Sequence, residues 1–181
     1  DHAHGNAAYR QLTPRVDILA TATTRTVLAE RGAKAIAASV ESMRRTLDES
    51  RRQLRQAVTP QQRTFHERSV QEAQAYIREM QGAVPELPDI TFQDRMTLHD
   101  KKQELQLMFR GRAHTGSDIC VVSPSRGVVA TGDLVVGFIP GMGDGFPLEW
   151  PSTLRSLAEV EFTQVLPGHG SLQTSKARLD Q

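Results

Sequence analysis

The spacing of hydrophobic residues changes partway along the chain. Over residues 36–58 apolar side chains recur at intervals of three, four and seven, and a second apolar stripe covers residues 65–80. This spacing predicts two amphipathic helices. Between them, the segment Thr-Pro-Gln-Gln at 59–62 is a helix-start signal, with a threonine cap and a proline in the first helical position. We therefore expect a helical hairpin over residues 33–84.

The region before the hairpin is predicted to contain short elements. An alanine pair at residues 7–8 begins a short helix, and residues 16–20 have the composition of a strand. A further helix is expected from residue 25 to about residue 31, where Gly32 is predicted to break it.

From residue 90 the period shortens toward two, which predicts strands. Two hairpins and a final strand are expected, over residues 96–98, 105–109, 119–122, 128–130 and 162–166. A glycine-rich loop over residues 137–145 and a helix with Pro151 in its first turn precede the final strand. The chain is thus predicted to be of the mixed α/β (α+β) class, as one domain over residues 1–181.

Three apolar segments lead to side chains that can bind metal ions. One predicted strand runs into Asp133, and two others lead through glycine-containing loops to His114 and His169. Loops held by a rigid sheet often carry functional sites, and histidine nitrogen and aspartate oxygen are ordinary zinc ligands. Because Asp1 and His2 open the chain with the same side-chain types, the sequence predicts a metal site that converges from distant positions.

Composition narrows the class of protein. With 181 residues, 38% of them hydrophobic and 24% charged, and a net charge of +1, the chain has the character of a globular domain. These values give no electrostatic reason to expect nucleic acid or a membrane as partner. The lone Cys120 is predicted to be a small buried hydrophobe. A cytoplasmic or periplasmic location and a homodimer are both left open.

Four short segments carry motifs. The segment Asp-His-Ala-His-Gly-Asn-Ala-Ala at 1–8 is similar to the tail of H-x-H-x-D-H-x-x-G-N, and Gly-Arg-Ala-His-Thr-Gly-Ser-Asp at 111–118 to G-x-x-H-T-x-x-D. The segment Thr-Gly-Asp-Leu at 131–134 matches T-G-D-L, and Leu-Pro-Gly-His-Gly at 166–170 contains P-G-H-G. In this order the motifs resemble those of the metallo-β-lactamase fold superfamily of metal-dependent hydrolases. The resemblance implies an αββα sandwich in which residues 33–84 are an insertion.

Two alignments of the first segment compete. If it is aligned as H-x-H, His2 and His4 are ligands, but the Asp and His that should follow are missing. If it is aligned as D-H, Asp1 and His2 match, and the Gly-Asn pair at 5–6 follows without a gap. We prefer the second alignment, which implies a domain that is incomplete at its N-terminus and lacks the H-x-H pair and the first strands. His4 is then a hydrogen-bonded neighbour of the ligands or a pocket residue.

The resemblance assigns a role to each candidate. Asp1, His2 and His169 would hold one metal ion. Asp133 would bridge two ions, and His114 would hold the other ion together with the missing pair. The two aspartates, Asp1 and Asp133, would be the catalytic carboxylates. Zinc is the expected metal, with two ions in the full-length protein, although iron and manganese also suit these ligands.

The resemblance also indicates a reaction. A hydroxide shared by two ions would attack an ester, thioester, lactone or similar small molecule. Because true zinc β-lactamases usually carry Cys or Ser where this chain has Asp133, the motif favours the glyoxalase II-like hydrolase branch. Asp118 is either a carboxylate that supports the ligands or a simple turn residue.

Two alternatives to this reaction are kept. One is a metallo-β-lactamase that hydrolyses β-lactams. The other is a non-catalytic interaction module, in which the helical hairpin binds a partner and the metal site is vestigial. The hairpin and the loop over residues 138–145 are expected to border the site and to set substrate choice.

Overall fold

The computed structural model describes residues 2–138, 140–177 and 179. Its α-helices are α1 Asn6–Leu12, α2 Ala22–Gln56, α3 Pro60–Met80 and α4 Trp150–Ala158. Its strands are β1 Leu19–Thr21, β2 Ile90–Phe92, β3 Arg95–His99, β4 Glu104–Phe109, β5 Ile119–Ser123, β6 Val128–Val136 and β7 Gln164–His169. This mixture of helices and strands confirms the predicted mixed α/β class.

The chain divides into two compact units. The first contains residues 17–25 and the described residues from Pro88 onward, and the second contains residues 2–16 and 26–87. Helix α2 begins in the first unit and continues in the second. The insertion over residues 33–84 stays a prediction.

A five-stranded sheet in the order β3-β4-β5-β6-β7 forms the centre of the first unit. From β3 to β6 each strand pairs antiparallel with the next, as the two predicted hairpins require. Strand β7 pairs in parallel with β6 and follows it after α4. Strands β1 and β2 form a separate parallel pair. The parallel step brings the C-terminal ends of β6 and β7 to one place.

The core of the first unit packs α4 against the sheet. Leu157 of α4 is fully buried among alternating residues of the central strands, which include Cys120, Val122, Val129 and Val165. Trp150 and Leu154 pack against this cluster and are partly buried. This packing fixes the start of α4 close to the sheet.

The second unit is held by contacts between α2 and α3. Val40 and Leu47 of α2 form a buried cluster with Ala73 and Ile77 of α3. At the start of α3 the Thr59 hydroxyl accepts a hydrogen bond from Gln62 N at 3.2 Å, and the Gln62 side chain accepts one from Thr59 N at 3.2 Å. The predicted helix start is therefore confirmed. No helix in the described part of the chain combines the length and the apolar character that a membrane crossing needs.

The predicted helix break at Gly32 is wrong. Helix α2 runs without interruption from Ala22 to Gln56, and Gly32 is buried in it. A Cβ atom at this position would lie 2.8 Å from the Cβ atom of Pro85, closer than side chains can approach. Glycine is thus required here by close packing rather than by a helix end.

Cys120 provides a test of the core. Its side chain is fully buried, and Sγ donates to the Met108 carbonyl oxygen at 3.6 Å. Burial raises the pKa of the Cys120 thiol to about 11. Because the thiolate is the reactive form, we expect negligible alkylation of the folded protein by iodoacetamide at about pH 8. Complete alkylation is expected after unfolding in guanidinium.

Mass spectrometry of the intact protein measures this alkylation, since the chain has 1 cysteine and gives one clear mass shift. Rapid labelling under native conditions would show that β5 is not packed as described.

Candidate metal centre

Asp133 lies within β6, where the strand is distorted. The pairing of β6 with β7 shifts between Ala130 and Gly132 and again between Gly132 and Val136, and Gly132 has a φ of +51°. The expectation that the strand ends at Asp133 is wrong, because pairing resumes where Val136 meets His169. The distortion leaves the Asp133 side chain only 9% exposed, between the two strands and the loop that follows β4.

Two histidines flank the carboxylate of Asp133. Nε2 of His114 lies 3.7 Å from Oδ2 of Asp133, and Nε2 of His169 lies 3.5 Å from Oδ1. The His114 side chain is 10% exposed, whereas that of His169 is 47% exposed. The structure thus places two of the predicted histidine ligands beside Asp133, and His169 is the more exposed of the two.

The loop that carries His114 is held by local hydrogen bonds. The backbone N and the hydroxyl of Thr115 each donate to the Asp118 carboxylate at 2.7 Å. On the other side of His114, the Ala113 carbonyl oxygen accepts from Phe146 N at 2.7 Å. Asp118 therefore fixes the turn beside His114, and its described contacts are those of a turn residue.

The approach of β7 to Asp133 depends on Gly168. A Cβ atom there would overlap Oδ1 of Asp133 and would lie 2.7 Å from the carbonyl carbon of Gly132 and 2.9 Å from the backbone N of Asp133. Just beyond, Gly137 N donates to the His169 carbonyl oxygen at 2.9 Å. The glycine thus allows the strand to place His169 next to the carboxylate.

The remaining candidates come from the first residues of the chain. Asp1 is outside the described residues. His2 and His4 belong to the second unit, in the turn that precedes α1. Partial burial lowers the pKa of His4 below its ordinary value. Their assignment as ligands or neighbours of ligands stays a prediction from the motif.

Two aromatic residues lie beside the ligands, and sequence reasoning had placed only one of them, Phe138, near the site. The Phe138 ring lies 5.3 Å from the ring of His169, and the Trp150 ring lies 5.9 Å from the ring of His114. Phe138 belongs to the loop that was expected to border the site, of which Ile139 is outside the described residues. For Trp150 the available signal was its place before Pro151, at a predicted helix start, which gave no reason to expect a histidine contact.

Each of the two histidine–aspartate pairs has ligand atoms of the types that bind a divalent metal ion. Two ligand atoms that share one tetrahedral zinc ion lie about 3.3 Å apart, given metal–ligand distances of about 2.0–2.1 Å. The observed nitrogen–oxygen distances of 3.7 Å and 3.5 Å are close to that separation. Each Asp133 oxygen faces a different histidine.

Comparisons with known proteins give similarity to solved structures only. Neither a protein-family model nor a curated protein matches the chain. A metallo-β-lactamase from Pontibacter korlensis is 23% identical, with a TM-score of 0.49 over 56% of this chain and 50% of that one. TMB-1, a protein studied for substrate and inhibitor binding, is 21% identical, with a TM-score of 0.47 over 57% of this chain and 50% of its own.

A third similar structure is that of DIM-1, a metallo-β-lactamase exposed to ceftazidime. It is 20% identical, with a TM-score of 0.45 over 60% of this chain and 50% of that one. The chain thus spans about half the length of the solved structures that it matches.

Proposed function

We propose that the protein is a metal-dependent hydrolase whose ions are bound by His114, Asp133 and His169, together with Asp1 and His2. The observation that carries the proposal is the position of one carboxylate between two imidazoles, at 3.7 Å and 3.5 Å. A nearly buried carboxylate is expensive to desolvate unless a cation or hydrogen-bond donors compensate its charge. The four motifs support the same donor set.

Some residues of the chain bind the ions, and others hold these ligands in place. Asp133 would be the ligand shared by the ions, whether these are zinc, iron or manganese, and the close approach of Gly168 keeps its carboxylate in place. The loop after β4 holds His114 in position. His169, on β7, is the third of these ligands. When bound, such ions supply an activated water near neutral pH and polarise a carbonyl oxygen.

The exposure of the ligands supports a proposal for the side from which a substrate enters. His114 is nearly buried, whereas His169 is half-exposed beside Phe138, which is itself 58% exposed. A substrate therefore reaches the centre over His169, with its apolar part against the Phe138 ring. We propose an ester, thioester or lactone as the substrate class, in the glyoxalase II-like branch, because an aspartate occupies position 133.

The proposal is tested on full-length protein by elemental analysis and by a substrate panel. About two ions per chain are expected, together with hydrolysis of thioesters or lactones and little turnover of a cephalosporin. Faster turnover of the cephalosporin would move the assignment to a β-lactamase. Metal content well below one ion per chain, with no gain of activity on adding zinc or manganese, would overturn the proposal and favour a non-catalytic interaction module.

A further inference from the structure

We propose that Trp150 is a positioning residue that fixes His114 relative to Asp133. The inference rests on the proposed function to the extent that these two side chains are metal ligands. The contacts that support it lie within the first unit.

Trp150 contacts both sides of the centre. Its indole Nε1 donates to the Leu134 carbonyl oxygen at 3.0 Å, and Leu134 directly follows Asp133 in β6. Its ring meets the His114 ring edge-on, with centroids 5.9 Å apart and an angle of 61° between the planes. One rigid side chain thus connects the strand that carries the carboxylate to the imidazole that faces it.

The backbone of Trp150 is fixed by the segment that leads into α4. Trp150 N donates to the Phe146 carbonyl oxygen at 3.0 Å, and the helix begins at Trp150 with a proline in its first turn. Phe146 N in turn donates to the Ala113 carbonyl oxygen, directly before His114. The indole therefore has little freedom to move away from the loop.

The first turn of α4 also holds the loop at Arg112, shortly before His114. The buried Thr153 hydroxyl donates to the Arg112 carbonyl oxygen at 2.7 Å. The Arg112 side chain pairs with Glu149 at 2.6 Å and lies 4.5 Å from the centre of the Phe146 ring. These contacts fix the loop backbone, and the indole is the part of this assembly that contacts the imidazole of His114.

Metal ligands depend on neighbours that fix their orientation, and loss of such a neighbour commonly weakens metal binding by about 10–100-fold. In Trp150→Leu both the ring contact with His114 and the hydrogen bond to β6 are lost. In Trp150→Phe an aromatic ring remains, but the N–H donor is lost. The two variants should therefore form a graded series, with the larger effect in Trp150→Leu.

The matched control is Phe162→Leu. Phe162 is a buried aromatic residue of the same hydrophobic core, and its ring contacts the Lys176 amine rather than a candidate ligand. This variant also replaces a large ring by leucine. It therefore reports what a general loosening of the core does to the measured properties.

Two measurements on the full-length protein test the inference. The first is the rate at which diethylpyrocarbonate modifies His114 in metal-free protein, followed by peptide mass spectrometry. The second is zinc affinity, measured by competition with a chromophoric chelator. We expect several-fold faster modification and about tenfold weaker zinc binding in Trp150→Leu, intermediate values in Trp150→Phe, and wild-type values in Phe162→Leu.

The outcomes separate the inference from the proposed function. Unchanged modification of His114 in both Trp150 variants overturns the inference, and so does an equal increase in Phe162→Leu. Failure of the wild-type protein to bind zinc overturns the proposed function, while the modification rates still decide whether Trp150 positions His114.

Discussion

Replacement of Asp133 by alanine is expected to reduce hydrolysis to the background rate and to lower the metal content of the full-length protein. Asp133 is the side chain that faces both His114 and His169, at 3.7 Å and 3.5 Å. In the proposed two-ion site, loss of its negative charge would leave two neighbouring cations that repel each other with less to hold them together. The measurements are kcat/KM on the best thioester or lactone and metal content by elemental analysis.

Asp94→Ala serves as the matched control for Asp133→Ala, because Asp94 is an exposed aspartate just before β3. The control should keep wild-type kcat/KM and metal content. Turnover of Asp133→Ala at the wild-type rate would exclude the carboxylate as a bridge between metal ions.

Gly168→Ala is expected to damage both the stability and the metal centre. The added methyl would overlap the Asp133 carboxylate and would lie 2.7 Å and 2.9 Å from backbone atoms of Gly132 and Asp133. Since the backbone cannot rotate away as a flexible side chain can, β7 must move away from β6. Overpacking of this kind costs about 1–3 kcal/mol, and the same movement separates His169 from Asp133.

Thermal unfolding and zinc affinity measure these two effects of Gly168→Ala. Each kcal/mol corresponds to a fall of about 2–4 °C in Tm for a chain of this size, and zinc binding should weaken together with stability. The matched control is Gly143→Ala, because an added Cβ there has no neighbour within 4 Å among the described residues. The control should keep its Tm and zinc affinity. Wild-type values for both properties in Gly168→Ala would show that β7 does not need this close approach.

Elements that depend on local interactions were predictable from the sequence. The start of α3 depends on residues three positions apart, Thr59 and Gln62, which satisfy each other's backbone groups. The hairpins β3-β4 and β5-β6 join strands that are neighbours in the chain. The alternation of apolar and polar residues, together with the turn residues between the strands, was therefore sufficient to predict them. In both cases the contacts that determine the structure join residues that are close together in the sequence.

Features that depend on distant contacts were not predictable. The role of Gly32 is set by Pro85, which no local pattern indicates. The continuation of β6 past Gly132 depends on pairing with β7. At the site, the motifs identified His114, Asp133 and His169, but the distances between them come from the fold. Trp150 was missed for the same reason, since its partners lie far from it in the sequence.

The segment that places His169 beside Asp133 also affects how the protein behaves when crowded with copies of itself. Strand β7 is the last strand of the described five-stranded sheet, and an edge strand can pair with a strand from another molecule. Along this edge Val165 already exchanges hydrogen bonds with Gln173, at 2.9 Å and 3.0 Å. Farther on, Pro167 has no N–H to offer to an incoming strand. The Pro-Gly segment that allows His169 to lie beside Asp133 therefore also makes this edge less able to pair with a strand from another molecule.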